Sequence, residues 1–423
     1  MTRSTASSTV SAPSMPADMR IAILGGSGSA TPELADALAA WPGGIERRPE
    51  LDIVLTSRSR ERLDLVAGET GRRSSGLEGA PIRVLAESDL ERALDGADVV
   101  INAVRIGGLP ARVFDETFPQ TYGIPGEETM GPGGFANALR TVPAVLPLWR
   151  RAVDVAPDAL LINLTNPSGV VVAAAEAELG TRIFSVCDSP TTFCEAIAGR
   201  LGRPVDDVRR GYSGMNHLGW WVPDDEADLA AVADLGTGLD ADAVTVQGAV
   251  GAAYVRYYVH PGRILEKQRA AAETRAQQLQ QLERDLLDGY AAGTTELPRR
   301  GAAWYGKAVL PLVDAWLNGS DEILTLGLRN DGRIEGLPDD VVTEAPVRIS
   351  RPRHVEFLGA TPLPPEPAAR LAQHAAYERL VVAATSSQAS RTDAVRALMA
   401  NPMVASFDDA SGLLDDIEAG SPT

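Results

Sequence analysis

The first stretch of this 423-residue chain whose spacing implies chemistry is Gly25-Gly26-Ser27-Gly28. Small residues there let backbone amides approach a pyrophosphate, and the helical apolar spacing of Thr31 to Leu38 beyond it would turn a positive helix end toward the phosphates. Cys187 and His217 are a second candidate pair, since a thiolate and an imidazole together bind a divalent metal. On spacing alone, a core thiol and a hydrogen-bonded histidine is the commoner arrangement. Cys194 has no His or second Cys at ligand spacing within its helix and is expected in the core. Tyr254-Val255-Arg256-Tyr257-Tyr258 puts three phenols in five residues. Such rings usually pack; one becomes a base only where a cation or metal lowers its pKa.

The elements that must position these groups follow from periodicity. Arg20–Leu24, Leu51–Leu55, Ile82–Leu85, Asp98–Ala103, Leu160–Leu164 and Ile183–Val186 are apolar runs of strand length alternating with helical segments, which predicts a parallel sheet. The glycine turn then joins first strand to first helix, and Cys187 follows the last strand, at the end where open α/β sheets bind ligands. Beyond about residue 200 the texture becomes helical and polar, with long helices expected over Glu266–Tyr290 and Ala368–Thr385. The expected organisation is α/β: a disordered leader (1–18), a Rossmann-type dinucleotide-binding domain (19–195) and a larger, mostly helical α+β domain (196–423) for substrate, metal and oligomer contacts.

A net charge of −18 with no offsetting basic cluster argues against nucleic-acid and membrane partners. No apolar run is long enough to span a bilayer, and two cysteines form no disulfide framework, which places the chain in a reducing cytoplasm.

Taken in order, several stretches resemble glycoside hydrolase family 4, the NAD- and metal-dependent group containing 6-phospho-β-glucosidases and 6-phospho-α-glucosidases. They are Gly25–Leu34 with its Thr-Pro-Glu-Leu, Val104–Leu109, Tyr122–Gly134, Ile162–Gly169, Cys187 with Pro190, Asn216-His217-Leu218 with Trp220, Ala376–Leu380 and Ala397–Pro402. The resemblance implies a fold arranged like lactate and malate dehydrogenases. It also implies a redox-assisted elimination: NAD oxidises the sugar's C3 hydroxyl, a base removes the acidified C2 proton, the aglycone leaves C1, water adds, and the ketone is reduced again. A divalent metal such as Mn²⁺ stabilises the enolate.

Carried onto this sequence, the resemblance makes Cys187 and His217 the metal ligands, Tyr254 the base with Tyr258 second, and Asp115 the acid for the leaving group. Asn166 would touch both nicotinamide and sugar, with Asn216, Arg105 and Arg300 as further substrate-binding residues, the two arginines for a sugar phosphate. The implied substrate is a phosphorylated disaccharide or glucoside, and the assembly a homodimer or homotetramer. Asp188 after the cysteine matches the α branch, whereas Asn216-His217-Leu218 and the tyrosine cluster match the β branch, which is favoured. Ala30 and Gly306 stand where a tyrosine and a serine are usual. The competing readings are a plain dehydrogenase of a hydroxy acid or sugar, which leaves the Cys187–His217 pair unexplained, and a non-catalytic dinucleotide sensor.

The second strand ends Thr56-Ser57-Arg58, without the Asp or Glu that normally holds the adenosine ribose of NAD. Ser57 and Arg58 can instead donate to a 2′-phosphate, so NADP is a possible cofactor beside the NAD expected from the family.

Overall fold

The structure is a computed structural model that describes residues 18–422. The expected leader lies outside the described residues except for Asp18, which opens the first strand.

Six strands, β1 (Asp18–Leu24), β2 (Glu50–Thr56), β3 (Ile82–Ala86), β4 (Val99–Asn102), β5 (Leu160–Asn163) and β6 (Phe184–Ser185), pair in parallel in the order β3-β2-β1-β4-β5-β6. Their side chains serve two cores by simple alternation. Ile21, Ile23, Val99, Ile101, Leu160 and Ile162 enter one, while Ala22, Leu24, Val100 and Leu161 enter the other. Burial on both faces is why β4, β5 and most of β1 and β2 are continuous apolar runs, whereas the edge strand β3 stays partly exposed. Winding reverses at β1 and β4, which creates a crevice at their carboxyl ends.

The second half adds β7 (Tyr212–Met215), β8 (Leu218–Trp221), β9 (Val250–Gly251), β10 (Ser320–Arg329), β11 (Val342–Arg351) and β12 (His354–Phe357). They extend the same sheet in antiparallel fashion: β6 pairs with β10, β10 with β11, β11 with β7 and β12, β7 with β8, and β8 with β9. β10 and β11, ten residues each, are hidden in the sequence because Thr325 and Gly327 interrupt one buried run and Thr343, Glu344 and Pro346 the other, leaving neither a continuous apolar stretch nor a two-residue alternation.

The long helices are present with one correction. The segment expected as a single helix over Glu266–Tyr290 is two, Pro261–Ala270 and Arg275–Ala292. The restart is a capping box: the Gln277 N–H donates to the Thr274 hydroxyl, and the Gln277 side chain accepts from the Thr274 N–H. The other is Pro365–Ala384, with Thr385 as its cap. A third core packs Trp220, Trp221 and Tyr212 of the β7–β8 hairpin on Phe193 and Cys194 of the helix Asp188–Leu201, so Cys194 is a core residue as expected. Among the described residues no helix is long and apolar enough to cross a membrane.

Candidate active site

The glycine turn is held at its position by β2. Gly25 and Gly26 N–H groups both donate to the Thr56 carbonyl at 3.0 Å, Gly25 sits at φ +79°, and a Cβ there would meet Val104 Cα at 2.8 Å. Only glycine fits. Gly26 faces away, onto Leu55. Gly25, Ser27 and Gly28 line a cleft of about 820 Å³ at the carboxyl ends of the parallel strands, and Ser57, Arg58, Arg105, Asn166, Cys187, His217, Tyr254 and Arg300 line it too. Five arginines against three carboxylates border this cleft in a chain of net charge −18, so the site is locally suited to anions.

Cys187 caps the helix Asp188–Leu201, its Sγ accepting the Ser189 N–H at 3.5 Å. His217 comes from the two-residue turn between β7 and β8, at φ 63°, a left-handed conformation that costs a histidine energy. The turn is fixed from behind: Asn216 Nδ2 donates to Glu344 Oε1 at 3.1 Å, and Glu344 also accepts the Tyr212 hydroxyl at 2.9 Å. The imidazole Nε2 thereby lies 3.8 Å from Cys187 Sγ, and its Nδ1 is buried without a partner. Burial, partly opposed by Glu128, holds the His217 pKa down at about 4, so the ring is neutral with a free lone pair. Burial pushes the Cys187 thiol up, as do Glu344 and Asp188. A half-buried thiol beside a neutral imidazole fits a divalent transition-metal ion by donor type, and such an ion would deprotonate the thiol outright. Among the described residues no group of three or more His, Cys, Asp and Glu is placed to hold a metal. Tyr254, in the 3₁₀ turn Ala253–Val255, stacks on His217. Burial, followed by the charge of Glu127, raises its phenol well above the ordinary value.

Arg105 follows β4 and reaches Glu128, which also takes Arg112 at 2.8 Å. Burial alone would raise Glu128, but Arg105 and Arg112 outweigh it and bring the carboxyl to about 2. Arg300 differs from both: it makes no ion pair among the described residues, and its guanidinium lies 5.9 Å from the Trp304 ring. Burial and the charges of Arg112 and Arg105 bring it down to about 10. The loop carrying it is clamped by Glu33, the acid of Thr-Pro-Glu-Leu, whose carboxylate accepts the N–H groups of Arg300, Gly301 and Ala302.

Four of the sequence-derived candidates do not line the cleft. Gly26 packs behind it. Asp115 is 1% exposed, and both its oxygens are taken by Arg140, while burial pushes its carboxyl up to about 7 against the pull of that arginine. Tyr258 is buried with its hydroxyl 3.2 Å from His374 Nδ1. Asn216 serves the hairpin through Glu344. Conversely, Glu128, Glu33 and Glu344 were not singled out. A signal existed for each: an acidic pair in Gly126-Glu127-Glu128, a lone acid at a helix start, and a lone acid inside the apolar run Val341–Ile349.

Comparison with known proteins gives a consistent picture. A family model described as "Family 4 glycosyl hydrolase" matches residues 20–202, and its C-terminal-domain counterpart matches 212–404. The 6-phospho-β-glucosidase BglT of Thermotoga maritima is 30% identical over 94% of this chain and 97% of its own. The structure of the T. maritima 6-phospho-β-glucosidase with manganese, NAD⁺ and glucose-6-phosphate superposes with a TM-score of 0.83 at 27% identity, covering 95% of this chain and 98% of that one. A malate dehydrogenase of Naegleria fowleri shares the fold at a TM-score of 0.54 and 14% identity, over 88% of this chain and all of its own.

Proposed function

The chain belongs to glycosyl hydrolase family 4, and from that premise we propose that it is a 6-phospho-β-glucosidase dependent on a nicotinamide dinucleotide and a divalent metal such as Mn²⁺. One observation carries the reading: the Cys187–His217 pair and the Tyr254 phenol meet in the same cleft as the glycine turn, which Arg300, without an ion pair among the described residues, also lines. A plain hydroxy-acid dehydrogenase has no use for that pair.

Bound there, the dinucleotide would accept a hydride from the sugar and return it, while the cation would polarise the sugar's oxygens. Cys187 and His217 hold the cation. Tyr254 takes the proton from sugar C2, and is preferred over Tyr258 because its ring borders the cleft and is stacked on a metal-binding residue. Asn166, whose side-chain amide has no hydrogen bond among the described residues, contacts sugar and nicotinamide from the end of β5. Arg300, with Arg105 beside it, takes the 6-phosphate, for which a guanidinium without a carboxylate is suited. We further take residues 19–195 and 196–423 as the two functional halves, a homodimer or homotetramer as the assembly, and the cytoplasm as the location of a chain with two free cysteines.

A panel of nitrophenyl glycosides, each with and without 6-phosphate, tests this in the presence of dinucleotide, Mn²⁺ and reductant. Nitrophenol release from the 6-phospho-β-glucoside is expected, and none once dinucleotide has been stripped. Release that survives stripping overturns the redox mechanism; release from the α-anomer alone overturns the β assignment.

A further inference from the structure

We propose that this cleft binds NADP⁺ at least as tightly as NAD⁺, the Arg58 guanidinium and Ser57 hydroxyl engaging the adenosine 2′-phosphate. The inference rests on the reading that the glycine turn holds a nicotinamide dinucleotide, and it concerns the end of β2, where such folds select between the two cofactors.

The Thr56 carbonyl accepts from Gly25 and Gly26, and the Ser27 hydroxyl donates to that of Ser57 at 2.7 Å, so Ser57 and Arg58 adjoin the phosphate-binding turn. A carboxylate is needed here to accept the ribose hydroxyls of NAD, and each nearby acid is either paired with an arginine or outside the cleft. Asp52 lies toward the opposite end of β2, in register with Arg20 and Arg83 and paired with both. Glu61 is exposed on the following helix and does not line the cleft. Glu283 does line it, but both its oxygens are held by Arg62, which also donates to the Ser27 carbonyl. Arg58, by contrast, is exposed, borders the cleft, and has no ion pair or side-chain hydrogen bond among the described residues. A free guanidinium with hydroxyls beside it repels nothing in NAD, but it has a specific partner only in a 2′-phosphate.

Isothermal titration of both dinucleotides into cofactor-stripped protein is the test, with no turnover required. The expected result is a Kd for NADP⁺ no higher than for NAD⁺. Arg58→Ala should weaken NADP⁺ tenfold or more and leave NAD⁺ within about twofold. Because Arg58 is exposed, the variant should fold normally, and Arg58→Asp should invert the preference toward NAD⁺. Tighter NAD⁺ binding by the wild type, or equal losses for both cofactors in Arg58→Ala, overturns the proposal and leaves the dinucleotide reading intact. Binding of neither overturns both.

Discussion

The phenol ring of Tyr254 lies flat on the imidazole of His217, ring centroids 3.8 Å apart and planes within 2°. The stack fixes the phenol proposed to abstract the proton to the imidazole proposed to hold the metal, and it depends on the rings rather than on the hydroxyl. Tyr254→Phe should therefore fold with a stability within about 1 kcal/mol of wild type, yet lose turnover by roughly two or more orders of magnitude. Running the reaction in D₂O checks the step itself. Wild-type product should carry deuterium at sugar C2; full labelling by Tyr254→Phe would move the base to another residue.

Removing the metal should remove activity without unfolding the chain, since two donors border a cleft already shaped by Glu344 and the helix Asp188–Leu201. Dialysis against a chelator is expected to abolish turnover, and Mn²⁺ to restore it. His217→Gln and Cys187→Ser should each weaken Mn²⁺ by well over tenfold in equilibrium dialysis while leaving dinucleotide titration unchanged. Full activity of a chelated, metal-free enzyme would contradict the mechanism.

How much of this could be read from sequence depended on whether a local pattern existed. The central parallel strands are legible because both their faces are apolar, and the glycine turn because a positive φ and a close approach at Gly25 demand one residue type. Arg140 was invisible as Asp115's partner, because nothing local links residues 25 apart on different helices. The same holds for Glu33: its three backbone contacts join positions more than 260 residues apart. Tyr254 and Tyr258 lie four residues apart, and the family resemblance does not separate them, whereas the fold sends one to the cleft and the other to His374.

Arg300 provides a test of phosphate recognition. Without a carboxylate partner among the described residues, its charge should act on the substrate rather than on stability. Arg300→Ala should raise KM for a 6-phosphoglucoside by roughly 10- to 100-fold, the size of one charge-assisted hydrogen bond, with a much smaller change in kcat. Glu33→Gln, which loosens the clamp on residues 300–302, should shift KM in the same direction and cost about 1–3 kcal/mol of stability. Unchanged KM in Arg300→Ala, measured beside the unphosphorylated glucoside, would place the phosphate elsewhere.

Glu127 makes the stability of the protein depend on pH in a predictable direction. Its buried carboxylate accepts the N–H groups of Thr129 and Met130 at 2.6 and 2.9 Å, yet burial and, next, the charge of Glu128 raise it from an ordinary value near 4.5 to about 7. Between those values the native state holds a proton that the unfolded chain has released. By linkage, stability then falls as pH rises through the window and levels off above about pH 7, by roughly 2–4 kcal/mol in all. Glu128 ionises below the window, at about 2. His217, held at about 4, runs the opposite way, losing stability as pH falls below 6.5. Both contributions are common to wild type and a Glu127 variant, so the difference between the two isolates Glu127. Glu127→Gln keeps the size and one acceptor but cannot ionise. Urea unfolding of both proteins from pH 4.5 to 8 should show the variant gaining on wild type as pH rises, by at least about 1 kcal/mol across the window. A flat difference would mean that Arg112 keeps Glu127 ionised throughout and that its burial is fully compensated.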